Sequence, residues 1–300
     1  MPSRSSKTKK NTTRTKKTAA ANEDLDIKAI INGVNNNNTC GPKIMLEFIE
    51  QFPGKQIIDA RPRTGPSRGT HYDFDIKIRD IGSSTEGEWK HVEHKGSKIY
   101  ASIKDTDKPW KAGVQFHNGG AEKYSLARKY AKAWYDMYIA SGTFKSEWSI
   151  SAPIPTYTEW FDKDCKTQSD PKTAFGKELK QKVRAKRGPN SSLLAERTAF
   201  NKAFIITDDD INTLMKEALP ITNQALEQKD YWLVIQGNLE GEFHCKWYPK
   251  FTIKSINKII IKPIVNDIKM EFQCSDGFVF NPMLRWGSGA GFSNLRLDLK

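Results

Sequence analysis

Apolar and polar positions alternate most clearly over HYDFDIKIRD, residues 71–80. There Phe74, Ile76 and Ile78 fall on one face of an extended chain, and Asp73, Asp75 and Lys77 on the other. The pattern predicts a half-buried β-strand with acids on its second face. The polar run IGSSTEGE that follows supplies turn residues. WKHVEHKGSKIYASI then resumes the alternation, so the two segments are expected to pair as an antiparallel hairpin. Glu93 and Lys95, two residues apart on the second strand, share a face. Upstream, KIMLEFIEQF sets Ile44, Met45, Phe48, Ile49 and Phe52 at helical spacing before Pro53-Gly54, which predicts a short amphipathic helix over 43–52. QIIDARP reads as a short strand and RTGPSRGT as a loop.

Farther along, KAGVQFHNGG reads as a strand running into a glycine turn. AEKYSLARKYAKAWYDMYIA reads as one long helix with Leu126, Tyr130, Trp134 and Met137 among its apolar positions. Residues 166–190 are polar; within them KELKQKVRAKRGPN carries six bases against one acid, as either an exposed helix or a mobile loop. Residues 193–219 read as mainly helical. From about residue 230 the chain is dominated by β-branched and aromatic segments. The expected organisation is a basic tail and Asn-rich linker over 1–38, without regular structure, and a core over 39–165. A basic, helical connection over 166–229 and a β-rich region over 230–300 complete it. The fold class is α/β or α+β, a mixed central sheet flanked by helices with a β-rich C-terminal portion.

Composition sharpens this picture in three places. A formal charge of +13 on 300 residues favours a polyanionic partner, and seven of those cations lie in residues 1–20 without a single acid. Such a tail suits a nucleic-acid arm, a nuclear address or a purely solubilising role. No window approaches the roughly 18 uncharged apolar residues of a membrane span, and no secretory pattern opens the chain. Cys40, Cys165, Cys245 and Cys274 are far apart and make no CxxC pair, which argues against structural zinc and a disulfide framework and for an intracellular, reducing compartment.

The candidate chemistry lies on the predicted hairpin. Phosphodiester hydrolysis needs a nucleophilic water, neutralised phosphate charge and help for the leaving oxygen, much of which a carboxylate-held divalent metal supplies. Asp73 and Asp75 beside Glu93 would gather oxygen ligands suited to Mg²⁺ or Mn²⁺, and Lys95 would place a cation beside them. A helix, a strand, an acid-bearing strand and then a strand reading Glu93-His94-Lys95 resemble, over roughly residues 40–140, the core of the PD-(D/E)xK nuclease superfamily. The resemblance implies an endonuclease with a restriction-endonuclease-like core, Asp73 or Asp75 and Glu93 as metal ligands, and Lys95 as catalytic cation. No Pro precedes either aspartate, and the choice between them stays open. Gln115 resembles a glutamine that some members carry near the site, and Glu47 and Glu50 on the first helix read first as a solvated helix face, with an additional metal-proximal acid such as some members carry as the alternative.

Further candidates are contacts rather than chemistry. Arg68 in the loop and Arg128, Lys129 and Lys132 on the long helix would suit phosphate contact or equally be ordinary surface charge. Arg285 beside Trp286 would suit phosphate contact and base stacking, although a glycine-rich turn between two core strands is the favoured reading there. His71 and His117 are lone histidines that could approach the site. His91 and His94 fall on opposite strand faces, which disfavours zinc. The expected partner is nucleic acid, DNA first, with no membrane and a homodimer left open. Two rivals remain: a non-catalytic basic nucleic-acid-binding protein, and an RNA-directed endonuclease on the same scaffold.

Overall fold

The computed structural model describes residues 19–64, 72–97, 116–167, 170–189, 191–262, 264, 267–286, 291–292 and 295–299. Two helices open it, α1 (Ala19–Asn36) and α2 (Gly41–Gln51). Residues 19–36 therefore form a helix where the sequence reading placed tail and linker. Ile27, Ile30, Ile31 and Val34 repeat at helical spacing among the asparagines, and Ile30 and Val34 are buried. The helices meet closely, since a Cβ on Gly41 would lie 1.9 Å from the Gly33 carbonyl oxygen. Only glycine allows that approach.

Strands β1 (Lys55–Pro62), β2 (Phe74–Asp80) and β3 (Glu88–Ser97) follow as an antiparallel meander, with Phe74 opposite Val92 and Asp75 opposite His91. After β4 (Phe116–Gly120) come α3 (Ser125–Trp134), α4 (Thr143–Glu147), α5 (Tyr157–Trp160), α6 (Ala174–Arg187), α7 (Leu194–Ala203) and α8 (Asp208–Glu227). The chain then returns to the first sheet. β5 (Tyr231–Gly237) lies parallel to β3, as a long helical crossover permits, and β6 (Phe243–Pro249) pairs with it antiparallel. The result is a mixed five-stranded sheet in the order β1-β2-β3-β5-β6.

A second sheet runs β4-β11-β10-β8-β7, built from β7 (Ile256–Ile261), β8 (Ile268–Cys274), β10 (Met283–Trp286) and β11 (Leu295–Leu299), with β9 (Val279–Phe280) on β8. The structure is thus mixed α/β, with α1 and α2 on the first sheet, and α3 and α8 against a second β-sheet towards the C-terminus. The sequence segments divide differently from the expected ranges. β5 and β6, from the β-rich region, complete the first sheet, whereas β4, from the expected core, belongs to the second. Strand propensity marks a strand but not its partner.

Each sheet has its own core. On the first, Phe74, Ile76, Ile78, Val92, Leu233 and Ile235 bury one face against α1 and α2, and the Trp247 indole N–H donates to the Ile44 carbonyl at 3.0 Å. On the second, Trp134, Phe200, Leu284, Trp286 and Leu297 belong to one larger cluster, which also takes in Trp232 of β5 from the first sheet. The long helix departs from its predicted face here. Residues 135–140 follow α3 with wider π-helical turns, which advance the phase by a residue, so Ile139 is buried and Met137 is 46% exposed. No helix among the described residues is long and apolar enough to cross a membrane.

Candidate active site

The alternation that buries Phe74 and Val92 turns Asp73, Asp75, Glu93 and Lys95 onto the other face of the sheet. Asp73 extends the β2–β3 pairing by one residue: its backbone N–H donates to the Val92 carbonyl at 2.8 Å. Its carboxylate accepts from the His94 N–H at 2.7 Å, which fixes it across from Glu93. Lys95 Nζ lies 2.6 Å from Glu93 Oε1, 4.0 Å from Asp73 Oδ2 and 3.8 Å from Glu23 Oε1 of α1. One cation therefore borders three acids.

A second lysine completes the group from a distant part of the chain. Lys229 Nζ sits 2.6 Å from Glu93 Oε2 and 4.8 Å from the Trp232 ring centroid, and the residue is 2% exposed. Asp230 positions it. The Asp230 carboxylate accepts from the His91 N–H at 2.9 Å, and its own N–H donates to the His91 carbonyl at 2.9 Å, fastening the start of β5 to β3.

The charges are unevenly compensated. Burial and the neighbouring Glu93 push the Asp73 carboxyl up to about 7, against the opposing pull of Lys95. Burial alone would raise Glu93 too, but Lys229 and Lys95 outweigh it and hold Glu93 below its ordinary value. Burial works against the Lys95 charge, yet Glu93, Asp73 and Glu23 together raise its pKa. Lys229 goes the other way, pushed down by burial. His94, enclosed on the opposite face, is driven by burial down to about 3 and stays neutral.

Asp75 shares this face but not this environment. Fully buried, it takes Arg61 Nε at 3.1 Å and the Thr64 hydroxyl at 3.3 Å on Oδ2, and His91 Nδ1 at 2.7 Å on Oδ1. Of the two aspartates left open by the sequence, Asp73 is the one beside Glu93 and Lys95. Glu47 and Glu50 of α2 are not among the acids beside Lys95, whereas Glu23 at the start of α1 is. Gln115, Arg68 and His71 lie outside the described residues, as does the His117 side chain.

The proposed phosphate contacts are largely engaged within the chain. Arg128 donates to the Glu122 carbonyl and Ser125 Oγ, Lys129 pairs with Asp210 at 2.5 Å, and Lys132 with Asp136 at 2.6 Å. Arg285 sits on β10 opposite Arg296 of β11 in the second sheet. Its neighbour Trp286 is fully buried against Tyr130, Trp134 and Trp160, which removes it as a base-stacking surface. The four cysteines are buried and free, in keeping with their spacing.

Among the described residues, no three His, Cys, Asp or Glu side chains form a ready metal cage. Asp73 and Glu93 nonetheless offer the oxygen donors that Mg²⁺ takes, and that ion commonly uses one or two carboxylates and keeps several waters. Asp73, raised first by burial and then by Glu93, and Glu93 itself are the two carboxylates here whose donor chemistry would suit such an ion. No family model matches the chain, and no curated protein or solved structure is significantly similar to it.

Proposed function

We propose that this chain is a divalent-metal-dependent endonuclease that hydrolyses DNA phosphodiester bonds at the β2–β3 face. The observation that carries this reading is Asp73 facing Glu93 across paired strands, with Lys95 beside both and Asp73 under-compensated. The order of helix, strand, acid-bearing strand and Glu93-His94-Lys95 strand supports it through the resemblance to PD-(D/E)xK nucleases. In this reading Asp73 and Glu93 would hold the ion. A bound Mg²⁺ or Mn²⁺ supplies phosphate-charge neutralisation and a water of lowered pKa.

The protein's own groups do the rest. Lys95, kept charged by three acids, stabilises negative charge growing on the phosphate and orients the attacking water. Lys229 holds Glu93 Oε2, so Oε1 is the oxygen turned to the Lys95 side of the site. Asp75 stands apart from the Glu93–Lys95 pair, held by Arg61, Thr64 and His91, and takes no part in this reading.

The test is incubation of the purified chain with single- and double-stranded DNA and RNA, with Mg²⁺, Mn²⁺ or EDTA. DNA cleavage that EDTA stops, and that Glu93→Gln and Lys95→Ala each lower by about 10²-fold or more while Ca²⁺-supported binding persists, is expected. Binding without cleavage under every metal would leave the non-catalytic rival standing. Cutting confined to RNA would move the substrate.

A further inference from the structure

One step along the same sheet face, Arg61, Asp75 and His91 form a straight row across β1, β2 and β3. Asp75 is wholly buried, so its charge needs partners, and it has three. Besides the exposed Thr64, the two charged or ring partners are open to solvent: the side chains of Arg61 and His91 are 38% and 39% exposed. Each is also backed by a ring. The Arg61 guanidinium lies 3.8 Å from the Trp89 ring centroid, and His91 stacks on Tyr72 at 3.9 Å with planes 17° apart. A buried acid that never reaches the surface is thus used to fix two surface groups.

We propose that Arg61 binds a backbone phosphate next to the one cut at Asp73 and Glu93, with the His91–Tyr72 stack as a wall beside it. The inference rests on the nuclease reading of the adjacent row. Asp75 engages the Nε edge of Arg61 and Trp89 covers its plane, so the terminal nitrogens are left for an outside acceptor. That fork matches a phosphate's oxygens, and a guanidinium held on two sides loses little further freedom on binding. Two residues along a strand separate the rows by about 7 Å. Successive phosphates of a nucleic-acid strand are spaced comparably, so one strand laid along β2 would meet both rows.

Two measurements on the full chain test this, both in Ca²⁺ by fluorescence anisotropy with a DNA oligonucleotide. Arg61→Met should weaken binding by about tenfold and reduce the slope of log affinity against log salt by about 0.7 for a single strand or 0.9 for a duplex. On the wild-type protein, a neutral methylphosphonate at one of the two linkages flanking the mapped cut should cause a similar loss, and Arg61→Met should erase that sensitivity. Should Arg61→Met melt early, the linkage experiment on wild type decides alone. An unchanged salt slope in a folded variant, or indifference to neutral linkages on both sides, overturns the role of Arg61 while leaving cleavage intact. Absence of any metal-dependent cut by the wild-type chain removes the nuclease reading, and this inference with it.

Discussion

Asp73 and Asp75 lie two residues apart, face the same way and belong to the same strand pairing, yet the chain treats them oppositely. Asp75 is enclosed and fully partnered by Arg61, Thr64 and His91. Asp73 faces another acid, shares Lys95 with Glu93 and Glu23, and is raised to about 7. A carboxylate whose charge is answered inside the protein acts as a fastening. One whose charge is left partly unanswered is the one that the proposed reading assigns to a cation from outside. The difference separates a fully partnered row from the row proposed to be reactive, although residue type and face are identical.

Exchanging the two acids should break this contrast most sharply. Asp73→Asn is expected to lower metal-dependent cleavage by about 10²-fold or more with little loss of metal-free stability, since it removes an under-compensated acid. Asp75→Asn should cost about 3 kcal/mol in urea unfolding, because it leaves Arg61 short of its buried partner, while metal dependence persists. Equal losses of activity and stability in both variants would erase the distinction. Lys229→Met, on the reactive row, should cost about 2 kcal/mol, less than Asp75→Asn because Glu93 keeps Lys95. With one cation removed from Glu93, Mg²⁺ should raise the melting temperature more in this variant than in wild type; a smaller rise would place Glu93 outside the ion site.

The smallest expected effect is on the pH dependence of metal-free stability. Folded Asp73 holds its proton up to about pH 7, whereas the unfolded chain releases it near 3.8. Between those values the folded state binds more protons, so this group's contribution is complete below about pH 4 and is lost as pH rises through 7. A decline of about 1–2 kcal/mol is expected, discounted from the full shift because Asp73 and Glu93 titrate together. Asp73→Asn should flatten the curve, and a wild-type curve with no decline between pH 4 and 7 would refute the raised pKa.

Some of this was readable from the residues and some was not, for physical reasons. A period of two identifies the acid-bearing strands and their shared face without knowledge of any partner. It cannot separate Asp73 from Asp75, because what distinguishes them is cross-strand register, Arg61 on β1 and His91 on β3. Glu23 is hidden from such a reading because the basic tail before α1 and the asparagines at its end mask the isoleucine spacing between them. Lys229 lies 136 residues from Glu93, and no local pattern announces that contact. The destination of β4 was hidden in the same way, since its pairing with β11 is set by the whole chain.

The parallel seating of β5 against β3 also orders events during synthesis. When residue 97 leaves the ribosome, the chain already contains Asp73, Glu93 and Lys95, but β3 lacks its neighbour and Glu93 lacks one of its two lysines. More than a hundred further residues, including every helix from α3 to α8, are added before Lys229 can arrive. Closing a loop of that length is slow relative to local hairpin formation. The nascent N-terminal fragment is therefore an unfinished sheet, and the Asp73–Glu93 row becomes complete only after all the helices from α3 to α8 have been made.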